Sequence, residues 1–215
     1  MTRPSDKKTD NFNLPLKLEL RRKLLVPFAA RFPLRVVDCC SGQRAIWSAL
    51  GKEFALAQYT AMDRKRLSVG LRVDSVRWLN EVGVTGNVID IDTYGEPWGH
   101  YLAVCHRPWP SREILVFLTL GKGLGNMGRI SNLAIEAAGL KREWQGLIPP
   151  ASNGLRQIVI DSLLTRGYDN DTIIQEGWEC RPPGSEVRYF GLRLLRRNGD
   201  DGKGAVRTEP AKPAG

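Results

Sequence analysis

Between residues 34 and 92 four short apolar runs each finish on an aspartate. They are LRVVD (34 to 38), Leu56 to Met62 followed by Asp63, Val69 to Val73 followed by Asp74, and NVIDID (87 to 92). Apolar, β-rich runs of this length with helical spacing between them predict strands buried on both faces, hence a mostly parallel sheet between two layers of helices. After the first run Ser41 and Gly42 make a turn, and Ala45, Ile46, Ala49 and Leu50 share one helix face. Ser75 is the expected N-cap of a helix over 76 to 82. Trp98 to Val104 reads as helix and Ile114 to Leu120 as a fifth strand; helices near Ser131 to Ala138 and Gly154 to Arg166 then lead to two last strands, 172 to 178 and 187 to 196. Ahead of all this, Leu14, Leu16, Leu18 and Leu20 alternate like a strand, whereas Leu20, Leu24, Leu25 and Phe28 have helical spacing, and a short helix is expected. Residues 14 to 197 are read as one domain, with a disordered lead at 1 to 13 and a disordered tail of Gly, Pro and charge at 198 to 215.

Charge is concentrated at the ends. Residues 1 to 34 carry eight Lys/Arg against three Asp/Glu and residues 188 to 215 seven against three, so the ends supply all of the net +9 and the middle is neutral. Clustered cations of this kind suit a polyanion such as RNA or DNA, and Lys17, Arg21, Arg22 and Lys23 are the candidate phosphate contacts. The plainer alternative is that basic ends only aid solubility. No window holds the roughly 18 apolar residues of a membrane span, and the polar N-terminus lacks a signal-peptide core, so a cytoplasmic protein with no membrane partner is expected. Four cysteines, two of them adjacent at Cys39 and Cys40, form neither a disulfide framework nor a C-x-x-C motif.

In open α/β sheets ligands bind beyond the carboxyl ends of the strands, and here those ends are acidic. Such a crevice suits a ligand rich in hydroxyls and amines better than a polyphosphate. These residues resemble the class I S-adenosylmethionine-dependent methyltransferases over most of 34 to 196. VVDCCSGQRAIW resembles the family's first motif, and Met62-Asp63 its second-strand acid. Asp74-Ser75 resembles the position near the adenine amine, and VIDIDTYGEPW the fourth motif in the D-P-Y-G form of the tRNA guanine-N2 dimethyltransferases. The resemblance implies a Rossmann-like class I methyltransferase fold, mostly parallel with an antiparallel last strand and helices on both faces. It implies S-adenosylmethionine as cofactor, held by Asp38, Ser41, Gly42, Asp63, Asp74 and Ser75, with Asp92 and Tyr94 acting on the acceptor. The sequence departs from the family pattern in three places: Gly42 is the one glycine left in the first motif, flanked by Cys40 and Arg44; Thr93 replaces the proline; and ten residues between Asp63 and Asp74 leave too little chain for the usual crossover helix.

Methyl transfer from a sulfonium needs positioning and exclusion of water more than activation, so no metal is expected. An exocyclic base amine as nucleophile needs an acceptor for its N–H and a flat surface for its ring, roles that fit Asp92 and Tyr94. The plainer assignment makes Asp92 a helix cap and Tyr94 a core residue. Gly123, Gly125 and Gly128 spell G-x-G-x-x-G, but no second acid-ending strand follows, and a loop over the active site is the better reading. His100 and His106 match no zinc spacing, Cys39 and Cys40 read as buried small hydrophobes, and Trp109 as loop packing. The expected function is methylation of a nucleic-acid base amine. The alternatives are a small-molecule or protein methyltransferase, or a catalytically silent nucleic-acid-binding protein on the same scaffold.

Overall fold

A computed structural model describes residues 13–65, 70–93, 95–121, 131–140, 162, 172–185 and 187–196. The expected lead and tail, the helix at 154 to 166, the Gly-rich loop at 123 to 128 and Tyr94 lie outside these residues, apart from Asn13 and Ser162.

The chain opens with α1 (Leu14–Ala29) and continues through β1 (Leu34–Asp38), α2 (Ala45–Leu50), β2 (Leu56–Asp63), β3 (Leu71–Arg72) and α3 (Ser75–Glu81). It then runs through β4 (Val88–Ile91), α4 (Trp98–Cys105), β5 (Glu113–Leu120), α5 (Asn132–Ala137), β6 (Thr172–Cys180) and β7 (Arg188–Arg196). Seven strands form one sheet in the order β3-β2-β1-β4-β5-β7-β6. β1 to β5 are parallel, and β7 runs antiparallel to both β5 and β6. This is the mostly parallel sheet that the sequence pattern predicts, with the antiparallel last strand that the resemblance implies.

Alternation along the central strands assigns the two helix layers. On β4 and β5, Ile89, Ile91, Ile114, Val116 and Leu118 pack with Leu79 of α3, Trp98 and Tyr101 of α4, and Ala134 of α5. Val88, Leu115 and Phe117, of opposite parity, pack with Leu24, Leu25 and Phe28 of α1 and Ile46, Trp47 and Leu50 of α2. Strands sandwiched in this way have no polar face, which is why β5 is buried at every position.

α1 is helical throughout, and its buried stripe is Lys17, Leu20, Arg21, Leu24, Leu25 and Phe28. The alternating leucines at 14, 16 and 18 are therefore not a strand, because helical spacing from Lys17 onward carries the packing. Gly191 of β7 accommodates the helix: a Cβ there would sit 2.5 Å from the Leu24 side chain. Two expectations need correction. The third strand shrinks to Leu71–Arg72, and the N-cap of α3 is Asp74, whose carboxylate accepts from the Val76 and Arg77 N–H groups, rather than Ser75. The short link from β2 to β3 is as expected: seven residues separate two parallel strands, and none of those described is helical.

Candidate functional site

The strand order reverses direction at β1 and β4, the place where sheets of this type open a crevice at their carboxyl ends. The loop after β1 is built for that position. Its Gly42 has φ 47° and Arg44 φ 58°, both left-handed. Glycine takes this conformation without strain, while Arg44 adopts it at a cost of about 1 to 2 kcal/mol. The Ser41 N–H donates to the Met62 carbonyl at 2.9 Å and the Gly42 N–H to Asp63 Oδ2 at 3.0 Å. Asp63 Oδ1 accepts from the Lys65 N–H at 2.8 Å. A carboxylate has about four acceptor positions, so Asp63 keeps capacity for a ligand. The Ser41 hydroxyl is buried and has no hydrogen-bond partner among the described residues.

Asp74 and Ser75 adjoin this loop. Asp74 is occupied in capping α3 and in an ion pair with Arg64. Ser75 Oγ lies 2.8 Å from His100 Nε2 of α4, with Cys40 Sγ 4.0 Å from the same nitrogen. Burial pushes the His100 ring down to about 4, so it is neutral at physiological pH. Burial, then the charge of Asp38, pushes the Cys40 thiol up to about 12, and burial likewise raises Cys39. Neither thiol is a nucleophile at neutral pH, as the reading of both as small hydrophobes expects.

Because the folded value of His100 lies below the ordinary one, the unfolded chain takes up a proton near pH 6.5 that the folded protein refuses until about pH 4. Stability contributed by the neutral ring is complete above pH 6.5 and falls through that window, by up to about 3 kcal/mol. Asp38, raised by burial and then by Asp90, works in the opposite direction, gaining relative stability toward acid. The His100 part is therefore read as the difference between urea-unfolding curves of the unmodified protein and His100→Gln at pH 4.5 and 7.5. A difference that does not change with pH would exclude a buried neutral ring.

Asp38, expected to hold cofactor, is itself 4% exposed and accepts from the Tyr59 hydroxyl at 2.8 Å. It lies opposite Asp90 in the β1–β4 register. Asp90 is fully buried and accepts from Arg21 Nε at 2.8 Å, Arg21 Nη2 at 2.6 Å and Trp47 Nε1 at 2.8 Å. One strand step beyond, Asp92 receives the Lys17 ammonium on both carboxylate oxygens, at 2.8 and 2.7 Å. Asp92 does not cap α4, whose N-cap is Pro97.

The basic stripe of α1 therefore requires a correction. Lys17 and Arg21 are 6% and 1% exposed and spend their charge on Asp92 and Asp90 inside the domain, so they cannot track a phosphate backbone. Arg22 pairs with Glu53 at the surface, and the Lys23 ammonium lies over the Trp178 ring. At the other end, Arg193 pairs with Glu113, and Arg196 donates to the carbonyls of Cys105 and Arg107. Trp109 packs beneath Arg196 and donates to the Val104 carbonyl, closing the end of α4 as loop packing predicts.

The structure thus gathers Asp38, Ser41, Gly42, Asp63, Asp74, Ser75 and Asp92 along one edge of the sheet. Tyr59, Asp90 and Trp47 belong to the same neighbourhood and were not singled out from the sequence, where His100 was weighed only as a zinc ligand. Among the described residues no helix is long and apolar enough to cross a membrane.

No protein-family model matches the sequence, and no curated protein matches it. Solved structures do. The protein yhhF from Escherichia coli, assigned in name as a methyltransferase, superposes with a TM-score of 0.51 at 12% identity, covering 92% of this chain and 92% of that one. Trm1 from Pyrococcus horikoshii, solved in complex with S-adenosyl-L-methionine, gives a TM-score of 0.54 at 14% identity, over 91% of this chain and 59% of that one. The fold is that of the Rossmann-like methyltransferases. At these identities the likeness is one of architecture.

Proposed function

We propose that the protein is an S-adenosylmethionine-dependent methyltransferase acting on the exocyclic amine of a nucleobase. The observation that carries this reading is the loop after β1. There, at the switch point of the sheet, a left-handed Gly42 donates to the Asp63 carboxylate, and next to it the buried Ser41 hydroxyl has no partner among the described residues. These residues fit the cofactor. Asp63 would take the ribose hydroxyls and Ser41 a polar end of the methionine part, while Gly42 lets the backbone approach closely. When bound, the cofactor supplies an electrophilic methyl group on a sulfonium. Asp92, at the end of the adjacent strand, would accept from the amine N–H, with Tyr94 as the ring surface.

The acceptor in RNA or DNA is supported by the likeness of D-T-Y-G to the fourth motif. A second reading, a small aromatic amine, is favoured by the internal neutralisation of Lys17 and Arg21, which removes half of the expected polyanion track.

Calorimetry tests the cofactor assignment. The protein should bind S-adenosylmethionine, and Asp63→Ala should weaken binding by about 1.5 to 3 kcal/mol, the value of hydrogen bonds to a charged acceptor. Absence of binding at millimolar cofactor by the unmodified protein would overturn the methyltransferase reading.

A further inference from the structure

We propose that Lys17 is a positioning residue of the acceptor site, and that by holding Asp92 it confines the acceptor to uncharged aromatic amines. The proposal rests on the methyltransferase reading above. One ammonium bonds both oxygens of Asp92, with side chains 8% and 17% exposed, which fixes the plane of the carboxylate at the end of β4. Lys17 is fixed in turn. One helical turn later Arg21 grips Asp90 with two hydrogen bonds and donates from Nη1 to the Lys17 carbonyl at 3.0 Å, and the Tyr189 ring lies 5.3 Å from the Lys17 ammonium.

The spacing is a geometric match between two elements. Residues four apart on a helix are separated by about 6 Å along its axis and residues two apart on a strand by about 6.6 Å. Lys17 and Arg21 can therefore meet Asp92 and Asp90 together, with α1 running antiparallel to β4. The first turn of α1 is thereby brought to the carboxyl edge of the sheet.

This pairing changes what Asp92 can do. A lone carboxylate in a partly buried crevice attracts an alkylammonium and can remove its proton. With Lys17 bound the pair is electroneutral, and an incoming ammonium meets a fixed positive charge in a setting that screens it poorly. A neutral aromatic amine meets no such penalty. It already carries its lone pair and needs only an acceptor for one N–H, which the remaining lone pairs of Asp92 provide. The amine nitrogen forms the new N–C bond with its lone pair, the C–S bond breaks with its electrons left on sulfur, and the extra proton on nitrogen passes to water.

The experiment uses the full chain and radiolabelled S-adenosylmethionine. The acceptors are poly(A), poly(C), poly(G), poly(U), polylysine, and free adenosine, cytidine and guanosine. Label is expected in at least one of the amine-bearing base acceptors and in neither poly(U) nor polylysine. On that acceptor Lys17→Met should lower kcat about tenfold or more, leaving acceptor KM and the calorimetric cofactor affinity within about threefold, while Lys17→Arg retains most of the rate. Three results would each overturn the proposal: label in polylysine, no label in any base amine by protein that binds the cofactor, or a folded Lys17→Met with unchanged kcat. If circular dichroism shows Lys17→Met unfolded, Lys17→Gln takes its place in the rate comparison. Failure to bind the cofactor at all is separately visible by calorimetry and overturns the underlying reading first.

Discussion

Arg21→Met is expected to destabilise the protein by about 3 to 5 kcal/mol, because it strands a fully buried carboxylate. Asp90 has no exposure to water and takes three hydrogen bonds, two of them from Arg21. Methionine matches much of the aliphatic length of arginine, so the lost volume is small and the cost arises from the unpaired charge. The Trp47 indole N–H remains as one donor, too little to compensate for a lost guanidinium fork. Replacing both members, as in Arg21→Met with Asp90→Leu, should recover most of the loss, since two apolar groups of similar size need no partner. Guanidinium unfolding of the two variants beside the unmodified protein checks this. A loss below about 1 kcal/mol in the single variant would mean that water or another cation reaches Asp90.

The same pair shows where the sequence stops being legible. Apolar runs ending on aspartate locate β1, β2 and β4 closely, because a strand buried on both faces has to be apolar until it reaches the crevice. α1 is harder. Its buried stripe contains two cations among its leucines, and in isolation a lysine and an arginine four apart read as a solvated or phosphate-facing edge. Only the partners two apart on β4, some seventy residues later, turn them inward, and no local pattern announces that match. The misplaced N-cap has a similar origin. Asp74 and Ser75 are both good caps, and the choice depends on which backbone turns extended, with Asp74 at ψ 109°. In the segment that resembles a first motif, the loss of glycine at position 44 gives no hint of a left-handed turn, yet Arg44 takes that conformation itself. The spacing of His100 excludes a zinc motif but does not place it in this site, because a histidine two residues into a helix carries no signal until Ser75 and Cys40 are brought against it by tertiary packing.

Asp92→Ala is expected to leave cofactor affinity nearly unchanged while methyl transfer falls by about 10², the cost of losing the group that orients the reacting amine. The separation follows from place. Gly42, Ser41 and Asp63 cluster around the loop after β1, whereas Asp92 stands past β4 and is tied to α1 through Lys17. An interaction made with the acceptor rather than the cofactor appears in the transition state and not in the cofactor Kd. The substitution also leaves the Lys17 ammonium unpaired. That disturbance is smaller than at Arg21, because Lys17 and Asp92 keep some contact with solvent. The double variant Lys17→Met with Asp92→Ala restores electroneutrality without restoring an acceptor for the amine N–H. It should be as stable as the unmodified protein to within about 1 kcal/mol and as slow as the single Asp92 variant. Single-turnover transfer from radiolabelled cofactor, run beside calorimetry and circular dichroism on both variants, separates the two effects. Normal transfer by a folded Asp92→Ala would remove the D-T-Y-G segment from the chemistry and leave the loop after β1 as a cofactor site serving some other acceptor.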